Sequence, residues 1–386
     1  MLKIPQNIEK IIKILEDNNF EAYVVGGAVR DTLLGFVPQD YDITTSCPPE
    51  TVVKLFEKTI PTGIKHGTVT VIIDSIPTEV TTYRIDGLYL DNRSPDSVSF
   101  TANLEDDLSR RDFTVNSLAF NKNKGLVDIF GGQDDIKNKT IKTVGNPQKR
   151  FSEDALRILR AIRFACTLDF NIENNTYNSA VNLSNNLKHI SGERIYTELT
   201  KSILGKNCEV LEDFINKGGL NALNITYSSN LKKINYLSPN LPLRIFSFLN
   251  HTDADYEYLS HRLHFSNKIK DYLDRCFYIK NNLKNYNKSH IKSILGYTES
   301  DIFADYLEYK SVILNENTEQ LMSILKEIKT NNEPYKISML NIDGKDLESL
   351  GFSGEEVGKK LKFLLQKCIE SPELNNKNNL LKLLSN

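Results

Sequence analysis

The segment DYDI sets Asp40 and Asp42 two residues apart. On an extended strand that spacing turns both carboxylates to one face and leaves Tyr41 and Ile43 on the other. Two like charges held close are unfavourable unless a cation sits between them. Mg2+ suits such a gap, because it takes oxygen ligands and keeps positions for substrate phosphate. Glu79, in TEVTTYR, offers a third carboxylate from a neighbouring strand. Such a set serves phosphoryl or nucleotidyl transfer, where one metal activates a hydroxyl and another steadies the leaving pyrophosphate. A bare pair of aspartates is more often an exposed loop, so its meaning depends on the segments around it.

Just upstream, GGAVRD places Gly26 and Gly27 at a strand-to-helix turn, where backbone N–H groups can meet phosphate oxygens. Arg30 lies one turn into that helix and reaches the same anion; helix packing is the bland alternative for the glycines. No GxGxxG or GxxxxGK[ST] loop occurs. In SRRDFTVN, Arg110 and Arg111 precede Asp112, and a carboxylate beside an arginine can aim it; otherwise the group is a surface ion pair. Asn116 can support the same site. In EDALRILRAIRF, Asp154, Arg157, Arg160 and Arg163 recur every three residues, forming one oblique helical stripe that needs an anionic partner or water.

These residues need a scaffold. EAYVVGG reads as a buried strand, AVRDTLLG as a helix closed by Gly35, and DYDITT, TVTVII, TEVTTYR and SVSF as strands. RIDGLYLDNRSPDS reads as a long loop, SRRDFTVNSLAF as entry to a helix, and GLVDIFGG as a short returning strand pair. SEDALRILRAIRFACTL has helical spacing, with Ser152 as N-cap and Glu153 and Asp154 in the first turn; GERIYTELTKSILG is a helix closed by Gly205. Beyond about residue 150 the strand signals fade. The fold expected is an α/β head followed by an all-α neck, body and tail, divided as 1–138, 139–205 and 206–386.

Composition narrows the class. With 386 residues, 40% of them apolar, the chain can bury sizeable cores. The 48 Lys+Arg and 50 Asp+Glu exclude a histone-like polycation, so a polyanion partner must be held by placed cations. Nine of the 13 arginines fall by residue 163, against a lysine-rich background. Residues 261–292 carry eight Lys/Arg and two Asp with interleaved Tyr and Phe, which suits either an RNA-tracking surface or a solvated helix face. Five widely spaced cysteines without CxxC point to free thiols and a cytoplasmic location. The six histidines have no metal spacing, the start reads as an amphipathic helix, and no apolar run is long enough for a membrane span.

VVGGAVRDTLLGFVPQDYDITT, RRDFTVNSLAF and EDALRILRAIRF, in that order and spacing, resemble the class II tRNA nucleotidyltransferases. These include the CCA-adding enzymes and bacterial poly(A) polymerases, within the polymerase-β-like superfamily. The resemblance covers about residues 20–200 and lacks an HD domain; the remainder is similar only in helical character and length. It implies a nucleotidyltransferase mixed sheet in the head, and Arg111 as the main phosphate contact, in a segment that also meets the sugar. It implies that Asp154 and Arg157 act as a protein template for the base, with Arg160 and Arg163 binding phosphate or orienting the base pair. Arg194 and Glu198 are read as structural.

Such a template has a chemical logic. Cytosine and adenine both present an amine beside a ring-nitrogen acceptor, matching a carboxylate and a guanidinium, while uracil and guanine present the reverse. IDGLYLDNRSPDSVSF resembles the loop used in switching from C to A, with Asp86, Gly87, Tyr89, Asp91, Arg93 and Pro95 fitting and Asn92 and Ser94 departing. The expectation is therefore a Mg2+-dependent enzyme adding C, C and A to tRNA 3′ ends from CTP and ATP, without a membrane and compatible with a homodimer. An A-adding enzyme or a poly(A) polymerase is the nearest alternative. A non-catalytic RNA-binding protein is the more distant one.

Overall fold

The computed structural model describes residues 3–87 and 97–384. They form two compact units, one comprising the chain up to Lys232 with Thr252–His264, the other Lys233–His251 with the chain from Phe265 onward.

The first unit begins with a helix and a mixed sheet. Helix α1 (Gln6–Asp17) buries Ile8, Ile11, Ile12 and Leu15, the i, i+3, i+4, i+7 stripe of an amphipathic helix. Strand β1 (Ala22–Val25) is buried throughout and leads into α2 (Gly27–Leu33). Then come β2 (Asp42–Thr45), α3 (Pro49–Leu55), β3 (Thr59–Gly63), β4 (Thr68–Ile73), β5 (Ile76–Thr82), β6 (Arg84–Asp86) and β7 (Val98–Phe100). Helix α4 (Leu104–Ser109), β8 (Leu118–Asn121), β9 (Gly125–Asp128) and α5 (Gly132–Lys137) complete the head. The sheet order is β3-β4-β5-β2-β1-β8-β9, with β2 and β5 the parallel pair. Ile43, Val69, Val71 and Val80 are fully buried, the alternate β-branched positions that give these strands one apolar face.

Several details depart from the sequence expectation. β3, TIPTG, was not foreseen; its proline and glycine hide an edge strand. Asp40 lies just before β2 rather than on it. SRRDFTVNSLAF does not enter a helix: α4 ends at Ser109, a short 3-10 turn covers Thr114–Asn116, and Leu118–Asn121 is a strand. Its β-branched and aromatic residues favour that pleated course. Of the loop residues singled out, Tyr89, Asp91, Asn92, Arg93, Ser94 and Pro95 lie outside the described residues.

Helices α6 (Pro147–Glu153), α7 (Leu156–Leu168), α8 (Asn174–Leu183), α9 (Gly192–Ile203) and α10 (Glu209–Asn216) follow. Ser152 is not an N-cap but lies inside α6. Asn146 caps that helix, accepting from the Lys149 N–H, with Pro147 opening it. Asp154 closes α6 in extended conformation, and its Oδ1 accepts from the Leu156 N–H (3.0 Å), which starts α7 afresh. Gly205 is needed for close approach rather than for a left-handed cap: a Cβ there would stand 2.8 Å from the Cys166 backbone. Thr252–His264 rejoins this unit through Arg262, which donates to the Ile190 carbonyl (2.7 Å). No local pattern announces so distant a return.

The second unit is helical: α11 (Leu241–Asn250), α13 (Asn267–Asn282), α14 (Lys288–Tyr297), α15 (Ser300–Val312), α16 (Glu319–Thr330), α17 (Gly344–Ser349), α18 (Glu355–Glu370) and α19 (Lys377–Leu384); α12 (Tyr256–Arg262) belongs to the first unit. Phe246 packs edge-on against Phe277 (5.1 Å) and Tyr309 (5.0 Å) in its core. Part of the basic charge on 261–292 is paired within the protein: Lys292 is fully buried against Glu333, Lys288 pairs with Glu333 and Glu327, and Arg275 pairs with Asp271 and Glu299. All five cysteines are free and buried. Among the described residues no helix is long and apolar enough to cross a membrane.

Candidate active site

The carboxylates converge at one edge of the sheet. Asp42 opens β2 and Glu79 lies on β5, whose register pairs Ile43 with Val80 and so brings Glu79 beside Asp42. Asp40, Asp42 and Glu79 line one cavity of about 760 Å³ with Asn7, Gln39, Thr70 and Thr78. The protein packed around Asp42, then the charge of Glu79, hold its carboxyl above the usual range; Arg111 pulls the other way and Asp40 adds to the rise. A cation relieves that crowding. Among the described residues no group of three or more His, Cys, Asp or Glu is gathered to hold a metal by itself. Two carboxylates completed by substrate phosphate are the donor set that Mg2+ accepts.

Arginines flank this edge. Gly26 has φ +70, and a Cβ there would stand 3.2 Å from Arg111 Nη1, so glycine admits the guanidinium. The Gly26 N–H is already given to the Leu118 carbonyl (3.1 Å), which leaves the phosphate role sketched for that amide to Gly27. Arg30 is 8% exposed, donates to Asn116 Oδ1 (2.5 Å) and pairs with Asp31 (2.7 Å). Among the described residues, the buried Nε–H of Arg111 has no hydrogen-bond partner. A buried guanidinium donor without a partner is costly unless an anion meets it.

Sequence reasoning missed what aims Arg111. It is Asp107, fully buried, and not Asp112. Asp107 Oδ2 accepts from Arg111 Nη2 (3.3 Å) and Thr44 Oγ1 (3.1 Å), and Oδ1 from Arg110 Nη2 (2.7 Å) and Nε (3.1 Å). Burial alone would raise the Asp107 carboxyl, but the Arg111 and Arg110 charges hold it below the usual range. The signal was available, since Asp107 stands three and four residues before the two arginines, neighbours on a helix face.

Asp112 serves Arg160 instead, accepting at Oδ2 from Nε (2.7 Å) while its Oδ1 takes the Asn116 amide (3.1 Å). Burial would raise its carboxyl, but Arg160 and these hydrogen bonds bring it down to about 2. A depressed carboxyl stabilises the fold above its unfolded value, near 4, and loses that contribution as pH falls toward 2. Asp112→Asn is thus expected to remove about 2 kcal/mol of the stability lost between pH 6 and pH 2, read by denaturant unfolding at each pH.

The remaining arginines find internal anions rather than a solvated face. Arg157, 9% exposed, donates to Glu153 (2.6 Å) and to the Arg110 carbonyl (3.0 Å). Asp154 accepts from Arg194 (2.8 Å), and Arg163 donates to Glu198 (2.5 Å). The Phe164 ring lies beneath Arg30 (5.0 Å), Arg160 (5.4 Å) and Arg163 (3.8 Å), a cation–π floor that sequence reading overlooked. Asp86 pairs with Arg84 (3.0 Å) and faces Arg110 (3.8 Å).

Comparison with known proteins bears on this arrangement. The family described as the Poly A polymerase head domain matches residues 22–142, and that described as a probable RNA- and SrmB-binding site of polymerase A matches 169–220. A CCA-adding enzyme of Oceanobacillus iheyensis is 37% identical over 386 aligned residues, covering 96% of this chain and 94% of that one. This chain belongs to the CCA-adding enzyme family. The family lies within the nucleotidyltransferases, generally dependent on a divalent metal. The CCA-adding enzyme of Ligilactobacillus salivarius is 47% identical over 207 residues; the match takes in about half of each chain, 53% and 51%. The crystal structure of the Bacillus stearothermophilus CCA-adding enzyme in complex with CTP aligns with TM-score 0.77 and 28% identity over 95% of this chain and 93% of that one. The Thermotoga maritima CCA-adding enzyme complexed with tRNA shares the fold, at TM-score 0.72 and 21% identity.

Proposed function

We propose that the chain is a CCA-adding tRNA nucleotidyltransferase. It extends tRNA 3′ ends with C, C and A from CTP and ATP, releasing pyrophosphate, without a nucleic-acid template. The observation that carries this reading is the pairing of crowded carboxylates at Asp40, Asp42 and Glu79 with an arginine, Arg111, whose buried Nε–H has no partner among the described residues. Asp40 and Asp42 would hold Mg2+, which when bound would supply activation of the acceptor hydroxyl and charge neutralisation at the phosphates. Arg111, with Arg30 and the Gly27 amide, binds the triphosphate, and Gly26 keeps the approach open. Glu79 assists the 3′-hydroxyl by taking up its proton as the hydroxyl oxygen bonds to the α-phosphorus and the bond to the departing pyrophosphate breaks.

Asp154 and Arg157 read the base. Arg194 holds the carboxylate and Glu153 the guanidinium, so the pair is oriented before the nucleotide arrives. Asp112 sets Arg160 and Glu198 sets Arg163, which orient base and phosphate from the Phe164 floor. Arg157→Ala is expected to narrow the preference for CTP over UTP by roughly 10- to 100-fold, the worth of a buried base-edge hydrogen bond. Competing incorporation on one acceptor measures it, and undiminished rejection of UTP contradicts the template role.

The division into a catalytic head (1–138), a base-reading neck (139–205) and a tRNA-binding body and tail (206–386) accompanies this reading, as does a cytoplasmic setting that suits five free thiols. The test uses tRNA lacking CCA, ending in C, or ending in CC, each with CTP, ATP or both. Two additions of C to the first substrate and one A to the last are expected. Addition to the CC end alone means an A-adding enzyme, and long A tails on unrelated RNA mean a poly(A) polymerase. No incorporation anywhere means a binding protein.

A further inference from the structure

The cavity beside the carboxylates is lopsided in charge. Among the described residues its lining includes Asp40, Asp42 and Glu79 but no Lys, Arg or His. The arginines assigned to the triphosphate lie against the glycine turn, Arg111 near Gly26 and Arg30 near Gly27. A polyphosphate requires cations and amides, so apart from the phosphate that a metal on Asp40 and Asp42 would share, this lining does not suit one. The other reactant, the sugar at the end of an RNA, is neutral where it reacts and suits such a lining.

Asn7 sharpens the point. It sits in the first turn of α1, is 8% exposed and lines the cavity. Its side-chain amide has no hydrogen-bond partner among the described residues. Neither amide atom is sealed off from the cavity, so both can meet a ligand that enters it. An amide both donates and accepts, as does a hydroxyl, and the 2′-hydroxyl is the group that distinguishes RNA from DNA. The wall that carries Asn7 is fixed: Ile8, Ile11 and Leu15 are buried, and Lys10 pairs with Asp74 (2.7 Å) at the β4–β5 turn.

We propose that this cavity receives the terminal ribose of the acceptor RNA, with Asn7 reading its 2′-hydroxyl while the 3′-hydroxyl meets Asp42 and Glu79. The proposal rests on the assignment of those carboxylates as the transfer centre. Asn7 positions one substrate and takes no part in bond making.

The test uses two tRNA acceptors ending in CC, one with ribose and one with 2′-deoxyribose at the last nucleotide. A-addition is measured as kcat/KM for the acceptor, with the KM for ATP determined separately. Wild type is expected to lose about tenfold on the deoxy end, the worth of one hydrogen bond. Asn7→Ala is expected to lose about tenfold on the ribose end, to lose nothing further on the deoxy end, and to keep the KM for ATP. Equal discrimination by variant and wild type, or a rise in the KM for ATP alone, overturns the proposal. ATP binding at equilibrium verifies the variant's fold, and Asn7→Ser, which keeps a shorter hydroxyl, is expected to retain part of the ribose preference. If wild type extends neither acceptor, the transfer centre itself is misassigned and this proposal falls with it.

Discussion

Asp42→Ala is expected to lower nucleotide incorporation by at least ~1,000-fold, equivalent to about 4 kcal/mol of transition-state stabilisation, while tRNA binding stays close to wild type. Asp42 opens β2, with Glu79 beside it on the parallel neighbour and Asp40 two residues ahead. Burial, and then the charges of Glu79 and Asp40, hold its carboxyl above the ordinary range, and a bound cation would offset those charges. Removing it takes away one of the two ligands assigned to the metal and leaves the arginine flank intact, so binding and chemistry separate. Single-turnover incorporation and filter binding on the same preparation measure both. Retained incorporation contradicts the metal assignment.

Asp107→Ala is expected to act twice. The carboxylate is fully buried and holds Arg110, Arg111 and Thr44 together. Its removal leaves two largely covered guanidinium groups facing each other without the anion between them. Breaking a buried pair from one side costs about 3 kcal/mol, read as a shift in denaturant midpoint with an unchanged slope. Arg111 also loses its aim, so the KM for CTP is expected to rise on the order of tenfold, the worth of one misplaced charge-assisted contact. Asp107→Asn keeps an acceptor and the side-chain volume, and should fall between the two on both readings. A variant that loses stability but binds CTP normally confines Asp107 to the fold and denies it any part in aiming Arg111.

The sequence made the chemistry legible where spacing is local. A double glycine before a short helix and arginines every third residue are patterns set by helix geometry, while of the two aspartates only Asp42 lies on the strand that their spacing suggested. Its failures have a common cause, in that partners were assigned to chain neighbours. Asp112 adjoins Arg111 but turns to Arg160, 48 residues on, because that segment runs through a 3-10 turn into a strand and not along a helix. Asp154 was placed within the arginine-bearing helix, yet the chain breaks there and its carboxylate caps the start of α7. Within the basic stretch at 261–292, Lys292 has no exposure and Lys288 shares its glutamate, which spacing alone does not reveal. The return of Thr252–His264 to the first unit depends on a side chain meeting a carbonyl 72 residues away, for which no periodicity exists.

The measurement that bears most directly on the account is the 3′ sequence of product tRNA. The substrate is tRNA lacking CCA, incubated with all four nucleoside triphosphates and Mg2+. Termination after C, C and A, with U and G absent, is the expected result if, as proposed, the same Asp154 and Arg157 read both accepted bases. Ends carrying U or G, or a run of A in place of C, would contradict it.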